Sequence, residues 1–370
     1  MPRLRWNKVL IPKSTANAPI KNQASFESKT GWYPAFSATG QDVWLPDYRY
    51  EGNGIVVSAV GAHCGKCFKA QGKWNIVANT HALLVDETLA TRDYCWYILN
   101  NEDWWIRAGA GQPFVKLKES LLREHDFPTI AEQKKITDVL DHISKLIQSR
   151  ENQVAILDEL VKSKFYELFG DPMTNPMKWP VVELSKYIQF LTSGSRGWAQ
   201  YYAESGEYFI TIKNVKDCKI TLSEVQHIIP PNNAEAKRTK VQEDDLLISI
   251  TADLGRTGVI TKEIADYGAY INQHLICIRL DKDFVLPLYA AYYMESDAGK
   301  CQFQAKNQSA VKAGLNFNSI KTLRLMLPPI KLQEEFVAFV ESVEKSTSKL
   351  ENSLQKFETL KKALMQQYFG

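Results

Sequence analysis

The stretch FPTIAEQKKI at residues 127–136 is nearly repeated as LPPIKLQEEF at residues 327–336. The two copies are separated by two hundred residues, and this offset is kept through the tract that follows each of them. Because both the residues and their spacing are similar over such a distance, the two stretches indicate a duplicated structural unit. The domain layout of the chain can therefore be worked out from these two tracts.

Each tract carries an apolar seam with alternating steps of four and three residues, which is typical of a coiled coil. The first seam runs through Ile136, Leu140, Ile143, Ile147, Arg150, Val154, Leu157, Val161, Lys164 and Leu168. The second runs through Phe336, Val340, Val343, Thr347, Leu350, Leu354, Phe357, Lys361, Leu364 and Tyr368. Thr129 with Glu132 resembles a capping box at the first helix start. Both tracts end on Phe-Gly, where glycine suits the left-handed residue after a helix.

The two tracts predict helices of about 39 residues, or roughly 58 Å at 1.5 Å per residue. Residues 131–169 contain six basic and seven acidic residues, and residues 331–369 contain six of each. A nearly neutral helix pair is a poor surface for phosphate, so we expect the helices to bind each other and a partner protein. The alternative is a helical hairpin within one domain, which the long separation of the two tracts disfavours.

The segments before each helix are rich in aromatic residues and turn signals, and they echo each other faintly. We pair Trp6–Val9 with 179–182, Ile55–Ser58 with Leu246–Ser249, 79–81 with 272–274, and 114–116 with 310–312. The sequence therefore predicts an α+β protein with two mixed α/β domains separated by two long antiparallel coiled-coil helices in a pseudo-twofold arrangement. The predicted boundaries are 1–126 and 171–326 for the domains, and 127–170 and 327–370 for the helical spacers.

Composition sets only broad limits on function. The chain has 370 residues, 45% of them hydrophobic, a net charge of +3 and six cysteines. These values favour two packed cores and no disulfide framework, and they leave nucleic-acid binding open. The sequence shows no secretory leader and no apolar run long enough for a membrane span, so we expect a cytoplasmic protein that does not bind a membrane.

The layout resembles the specificity subunit of type I restriction-modification systems, in which two target recognition domains alternate with two helical regions. The resemblance spans nearly the whole chain and depends on the order and duplication of several stretches. These are FPTIAEQKKI, LPPIKLQEEF, FYELFGDPMTNPMKWP at 165–180, LTSGSRGW at 191–198 and YRYEGNGIVVSAVGAHCGKCF at 48–68.

The resemblance implies a DNA reader without catalytic activity of its own. Each recognition domain would read one half of a split, asymmetric site in double-stranded DNA, and the helices would fix the gap. Two modification subunits would dock on the chain and methylate adenine, and a restriction subunit using ATP would join them.

Motifs for other chemistry do not fit. Adenine methylation needs an Asn or Asp followed by two prolines and an aromatic residue, which neither 229–232 nor 171–173 supplies. The string Gly61–Cys67 is one residue too short for a phosphate-binding loop. Cys64 and Cys67 have no second pair with which to bind zinc, so we interpret the string as a turn. We predict no cofactor, no metal and no catalytic residue.

Candidate DNA contacts are donors and acceptors on glycine-containing loops. In the second domain the candidates are Ser193, Ser195, Arg196, Trp198, Gln200, Tyr201, Lys213, Asn214, Arg256, Thr257 and Lys312. In the first they are Lys29, Thr30, Trp32, Tyr33, His63, Lys66 and Lys116. The alternative for residues 193–202 is a surface loop with Trp198 and Tyr201 pinned into the core. His81 and His274 are interpreted as framework histidines at equivalent places.

Two other functions remain open at this point. One is a coiled-coil adaptor that assembles other proteins and has no preference for a DNA sequence. The other is a self-contained nuclease or methyltransferase, which the missing motifs weaken.

Overall fold

The computed structural model describes residues 3–15, 17–307 and 314–370. The chain divides into two compact units, one of Met1–Glu151 with Asn352–Gly370 and the other of Asn152–Glu351. Each unit therefore combines a globular head with the beginning of one long helix and the end of the other. The division cuts both helices near their middles, whereas the sequence analysis treats helices and heads as separate segments.

Unit 1 contains β1 (Arg3–Arg5), α1 (Trp6–Val9), β2 (Leu10–Lys13), β3 (Tyr33–Ser37), β4 (Gly40–Leu45), β5 (Tyr50–Glu51), β6 (Gly54–Ser58), β7 (Cys67–Ala70), β8 (Lys73–Ile76), β9 (Thr80–Val85), α2 (Arg92–Leu99), β10 (Arg107–Ala108), β11 (Phe114–Val115), α3 (Leu117–Ser120), β12 (Glu124–Asp126) and the first part of α4 (Ile130–Phe169). Its central sheet has the order β2-β9-β6-β7, and a second sheet has the order β4-β3-β8-β5. Strands β3 and β8 are parallel. The pair β1–β12 precedes the long helix.

Unit 2 contains the rest of α4, β13 (Val181–Glu183), β14 (Ile188–Ser193), β15 (Tyr202–Ala203), β16 (Glu207–Ile210), β17 (Val215–Lys216), β18 (Lys219–Ile220), β19 (Gln226–Ile228), α5 (Ala234–Thr239), β20 (Leu246–Ser249), β21 (Thr257–Val259), α6 (Lys262–Tyr267), β22 (Ala269–Ile271), β23 (Leu275–Leu280), α7 (Pro287–Glu295), α8 (Asp297–Lys306), α9 (Phe317–Lys321), β24 (Arg324–Met326) and the first part of α10 (Ile330–Phe369). Its sheets have the orders β14-β23-β20-β21 and β15-β19-β16-β22. The parallel pair is β16–β22, and β13 pairs with β24 before α10.

The two heads therefore share one topology, and the mixed α/β fold predicted from the sequence is confirmed. Both have a four-stranded antiparallel sheet, a second sheet with one parallel pair, and a two-stranded ladder that leads into a long helix. The helix prediction is also confirmed, since α4 and α10 each have 40 residues and begin two hundred residues apart.

The long helices run antiparallel within each unit. In unit 2 the ring of Phe165, near the end of α4, lies 5.4 Å from that of Phe336, near the beginning of α10. In unit 1 Ile136, near the beginning of α4, packs on the same apolar cluster as Phe369, the last residue of α10. All twenty predicted seam positions are buried or half-buried. The periodic pattern therefore identified the contact face correctly.

The predicted ends of α4 are also confirmed, whereas Gly370 after α10 does not have the predicted left-handed conformation. The Thr129 backbone N–H donates to Glu132 Oε2 at 2.9 Å, and the Glu132 backbone N–H donates to Thr129 Oγ1 at 3.3 Å. This pair of bonds is the capping box. Gly170 follows α4 with φ +75°, a left-handed conformation in which a side chain would be strained.

Three of the faint echoes between the heads are misaligned. Strand β13 corresponds to β1, so the counterpart of Trp6 is Leu184 rather than Trp179. Thr80 pairs with Ser58 in unit 1, and Leu275 pairs with Ser249 in unit 2, so Thr80 and Leu275 are equivalent positions. His81 and His274 are therefore not equivalent. The echo of Ile55–Ser58 with Leu246–Ser249 is correct, because both segments form the same strand of the central sheet.

Candidate nucleic-acid interface

Four loops meet at one end of the central sheet in unit 1. The Ala59 N–H, just after β6, donates to the Asn79 carbonyl before β9 at 2.9 Å, and Val115 N–H donates to the Ala59 carbonyl at 2.9 Å. The loop after β2 joins them, because Ala78 N–H donates to the Pro19 carbonyl at 2.8 Å. The backbone therefore fixes these four loops as one surface.

The same four loops meet in unit 2. The Ile250 N–H donates to the His274 carbonyl at 3.0 Å, and Leu315 N–H donates to the Ile250 carbonyl at 2.9 Å. Gln273 N–H donates to the Ser195 carbonyl at 3.0 Å, which adds the loop after β14. Leu315 is thus the counterpart of Val115, and Asn316 that of Lys116. The predicted pairing of 114–116 with 310–312 was four residues out of register.

The hairpin after the second central strand has one geometry in both heads. Ser58 N–H donates to Lys66 O at 2.9 Å, and Ser249 N–H donates to Arg256 O at 2.9 Å. A glycine with positive φ precedes each cation, Gly65 at +101° and Gly255 at +81°. Glycine is required because a residue with a side chain rarely adopts this conformation. Each hairpin thus presents a cation next to a fixed backbone turn.

The cysteines of the first hairpin belong to the core. Cys64 and Cys67 are buried, and the Cys67 Sγ donates to the Leu99 carbonyl at 3.2 Å. Burial raises the pKa of the Cys67 thiol far above its ordinary value, so the thiolate that a metal needs is disfavoured. Within the described parts of the chain, no group of three or more His, Cys, Asp or Glu residues could hold a metal ion.

In unit 2 the convergent loops enclose a cleft of about 560 Å³. Its polar lining comes from Ser193, Arg196, Glu235, Gln273 and Asn316, and its apolar lining includes Ile250, Ile276, Leu315 and Phe317. All four loops contribute to this lining. The cleft therefore combines hydrogen-bonding groups with apolar side chains, and both kinds of group can contact base edges.

The structure separates the candidates of unit 2 by exposure. Arg196, Gln200 and Lys213 are exposed, and Ser193, Tyr201 and Arg256 are half-buried. Ser195, Trp198, Asn214 and Thr257 are buried. Lys312 lies outside the described residues. Among these candidates, Ser193 and Arg196 line the cleft, whereas Lys213 lies in a different part of the head, in the short helix Ile212–Asn214.

Each buried candidate has a structural role, which removes it from the set of proposed DNA contacts. Trp198 stacks on Phe209 with ring centroids 5.8 Å apart, as in the alternative that pinned this loop into the core. Ser195 Oγ lies 3.2 Å from Thr239 Oγ1. Asn214 Oδ1 accepts the Thr211 N–H at 3.0 Å, and Thr257 Oγ1 donates to the Ala291 carbonyl at 3.1 Å.

The candidates of unit 1 form two groups on the head. Lys29 and Thr30 are exposed, and the Lys29 ammonium lies 4.6 Å from the centre of the Trp32 ring. Tyr33 is half-buried and packs on Tyr48 with ring centroids 4.9 Å apart. This group therefore combines cations with aromatic faces, which suits sugar and phosphate contacts.

The second group lies on the convergent loops. His63 is exposed, with Nδ1 3.6 Å from Glu102 Oε1, and Lys66 is exposed near the Phe68 ring. Lys116 is half-buried, and its ammonium lies 3.1 Å from Glu119 Oε1. Of the three, Lys66 is the one without an ion pair among the described residues.

Five residues of these surfaces were missed by the sequence analysis, including Glu235 in the lining of the cleft of unit 2. Tyr48 and Lys73 extend the aromatic group of unit 1, with the Lys73 ammonium 4.7 Å from the Tyr48 ring. The neighbouring Tyr48 side chain raises the pKa of Lys73. Gln273 and Asn316 line the cleft of unit 2. Correct alignment of Asn316 with Lys116 would have found one of them, but no local motif marks the others.

The two histidines proposed as framework residues have framework surroundings, although they are not equivalent. His81 lies in β9, and burial lowers its pKa. His274 Nδ1 lies 2.8 Å from Thr251 Oγ1, in the loop before β23. His81 also has a hydrogen bond with the Val115 backbone, which acts to raise its pKa, so both histidines have partners within their own heads.

Sequence comparison finds proteins of restriction systems to which the chain is similar. The family model described as "Type I restriction modification DNA specificity domain" matches residues 190–361. The chain is 21% identical over 285 residues to the type I restriction enzyme EcoBI specificity subunit of Escherichia coli, covering 68% of this chain and 58% of the relative. It is 22% identical over 289 residues to the StySPI specificity subunit of Salmonella potsdam, covering 71% and 60%. The match therefore spans about three fifths of these relatives.

Two solved structures share the fold. The S subunit of a type I restriction-modification system from M. genitalium superposes with a TM-score of 0.64 at 13% identity, covering 98% of this chain and 94% of that one. A chain from a study of complex assembly and conformational transition of the type I R-M system gives a TM-score of 0.55 at 14% identity, covering 100% and 97%. Residues 190–361 thus match the type I restriction modification DNA specificity domain, and the predicted resemblance of the chain to specificity subunits of type I restriction-modification systems is confirmed.

Proposed function

We propose that the chain is the DNA-reading subunit of a type I restriction-modification complex and has no catalytic activity of its own. Each head reads one half of a two-part, asymmetric sequence in double-stranded DNA, and the long helices set the gap between the halves. The observation that carries the proposal is the duplicated head, in which the same four loops converge at the same end of the central sheet.

The cleft of unit 2 is the proposed site of base reading. The Arg196 guanidinium can bind guanine through two parallel hydrogen bonds, and the amide of Gln273 can pair with adenine. Asn316 caps α9 by accepting the Ser319 N–H at 2.9 Å, which leaves its amide nitrogen to donate to a base. Glu235 can accept from cytosine.

Other candidates serve the phosphate backbone. Lys66 and Arg256 follow the two equivalent hairpins, and the half-buried Arg256 is tied to Asp253. Lys29, with its neighbouring aromatic rings, and Gln200 are further exposed candidates. Phosphate contacts fix the register of the protein on the duplex but carry no sequence information.

The long helices are the proposed docking surface for two modification subunits, with a restriction subunit joining the assembly. In unit 2 the outward faces of α4 carry Ile156 and Leu160, which are 64% and 45% exposed. Apolar side chains on a nearly neutral helix suit a protein partner better than DNA. The complex would act on DNA in the cytoplasm. No helix in the described parts of the chain is long and apolar enough to span a membrane.

The proposal is tested by mapping adenine methylation in the host genome with and without the gene for this chain. We expect one split motif to lose methylation on deletion. Unchanged methylation at every motif contradicts the proposal. Binding of the assembled complex to that motif should weaken steeply with salt, because each phosphate neutralised by a cation releases counterions. A protein adaptor shows no preferred duplex in a selection from random sequences.

A further inference from the structure

Two glutamines occupy the same position at the starts of the long helices, and both are completely buried. Gln133 lies in the first turn of α4 and Gln333 in the first turn of α10, each with 0% of its surface exposed. Burying an amide is unfavourable unless its donors and acceptor are hydrogen-bonded. Each glutamine must therefore have partners that compensate for the loss of water.

In unit 1 these partners lie in the link between β9 and α2. Gln133 Oε1 accepts the backbone N–H of Thr91 at 2.7 Å, and its amide nitrogen donates to the carbonyl of Leu89 at 3.2 Å. The second amide hydrogen is donated to the Pro128 carbonyl at 2.9 Å. Thr91 is the residue that caps the start of α2. Since a backbone N–H must meet the oxygen, the orientation of the amide is fixed.

Unit 2 repeats this set of bonds in the equivalent link, between β23 and α7. Gln333 Oε1 accepts the N–H of Leu286 at 2.9 Å, and its nitrogen donates to the carbonyls of Phe284 at 2.9 Å and Pro328 at 3.0 Å. Leu286 occupies the position before α7 that Thr91 occupies before α2. Two heads with different loops and different lengths have therefore kept the same three bonds, two of which connect the head to the helix.

We propose that Gln133 and Gln333 are positioning residues that fix the angle of each head on its long helix and so determine the DNA gap that the protein accepts. This inference depends on the proposed function. The chain segments that follow β12 and β24 connect each head covalently to its helix, but a single covalent segment does not by itself fix the angle between them. The glutamine ties the first helical turn to a second point of the head, and its hydrogen bonds are directional.

Apolar packing alone gives weaker control of this angle. Phe127 and Ile136 pack on the core of unit 1, but burial of apolar surface is not directional and tolerates small shifts. A helix of 40 residues is roughly 60 Å long at 1.5 Å per residue. A change of about 5° at its first turn moves its far end by roughly 5 Å, whereas one base pair occupies about 3.4 Å of the duplex axis. A change of this size in the angle therefore displaces the helix end by the length of one or two base pairs.

The test compares Gln133→Met, Gln333→Met and the double variant with the wild-type chain, each full-length and assembled with its modification subunits. Methionine keeps the length of the side chain but removes all three hydrogen bonds. Gln355→Met is the control, because Gln355 is exposed on α10. Each complex selects from a duplex library in which the two half-sites are separated by gaps of varied length.

We expect the glutamine variants to select the same bases in both halves but to accept gaps one or two base pairs longer or shorter. Preference for the wild-type gap should fall about tenfold, and the control should not change. Variants that keep the wild-type gap distribution refute the inference, even if urea unfolds them more easily, because their role is then only structural. A wild-type complex that selects no two-part motif refutes the proposed function as well.

Hydrogen exchange of the wild-type chain provides a test that does not depend on a folded variant or on DNA. The amide hydrogens of Thr91 and Leu286 should exchange slowly, at rates close to those of amides within α2 and α7. Fast exchange at either position overturns the inference, because the bond from the backbone to the glutamine is then not maintained.

Discussion

Replacement of Thr347 by valine should stabilise unit 2, although it removes a polar group from the coiled-coil seam. Thr347 occupies a seam position of α10 and is 6% exposed. Its hydroxyl is buried and has no hydrogen-bond partner among the described residues. The residue at the same position of α4 is Ile147, which is apolar. The second helix therefore contains an unsatisfied hydroxyl where the first has none.

The size of the effect follows from the cost of that hydroxyl. A buried polar group without a partner costs about 1–3 kcal/mol in mutational data. Valine has nearly the shape of threonine and a similar helix propensity, so packing and backbone terms change little. We expect Thr347→Val to raise the free energy of unfolding of unit 2 by about 1 kcal/mol. For a unit of this size, that corresponds to a rise in Tm of about 2–4 °C.

Urea and thermal unfolding of the full chain, followed by tryptophan fluorescence and circular dichroism, measure this change. The matched control is Thr137→Val on α4. Thr137 is also buried, but its Oγ1 donates to the Lys134 carbonyl at 3.0 Å. Loss of this bond should lower the stability of unit 1 by about 0.5–1.5 kcal/mol. Opposite signs support the reasoning. A Thr347→Val chain that is no more stable than wild type refutes it, since the hydroxyl then has a partner such as a bound water.

Three further predictions concern packing, pH and DNA contacts. Phe336→Ala should lower the free energy of unfolding of unit 2 by about 3–5 kcal/mol, because the buried Phe336 ring packs on the aromatic end of α4. Urea unfolding measures this change, and a loss below about 1 kcal/mol contradicts the packing. Burial lowers the pKa of His125 below its ordinary 6.5. Below about pH 6.5 the unfolded chain therefore binds more protons at this residue than the folded chain does, and unit 1 should lose stability as the pH falls. His125→Gln should flatten this part of the pH profile of the urea midpoint, and an unchanged profile assigns the effect elsewhere. Arg196→Ala should weaken DNA binding by about 1–3 kcal/mol and relax the base preference at one position of the motif. Lys66→Ala should weaken binding to all sequences alike and reduce the slope of log affinity against log salt by about 1. The opposite result would mean that Lys66 reads a base and Arg196 contacts a phosphate.

The helices were predictable because their signal is both periodic and duplicated. Twenty seam positions repeat at one fixed offset, and the structure extends that offset back to Val115 and Leu315. Within the heads the offset drifts, from 178 residues between Arg3 and Val181 to 191 between Ser58 and Ser249. Insertions in the loops change the spacing while leaving the sheet order intact. Short strands contain too few residues to reveal the shift, so three of the four echoes were placed wrongly.

Residue type alone could not separate contact residues from framework residues in the candidate site. Trp198 and Ser195 stand beside glycines and Arg196, as a binding loop would have them, but the loop turns these two side chains into the head. The convergent loops come from four distant parts of the chain. Gln273 and Asn316 become neighbours of Arg196 only through the sheet topology, so no contiguous sequence motif predicts the cleft.

If one chain reads two separate half-sites with two independent heads, one head can be exchanged without affecting what the other reads. The most direct measurement exchanges residues 175–326 for the corresponding head of another specificity subunit and maps adenine methylation by the assembled complex. We expect one half of the methylated motif to change while the other half is unchanged. Alteration of both halves, or of neither, would contradict it.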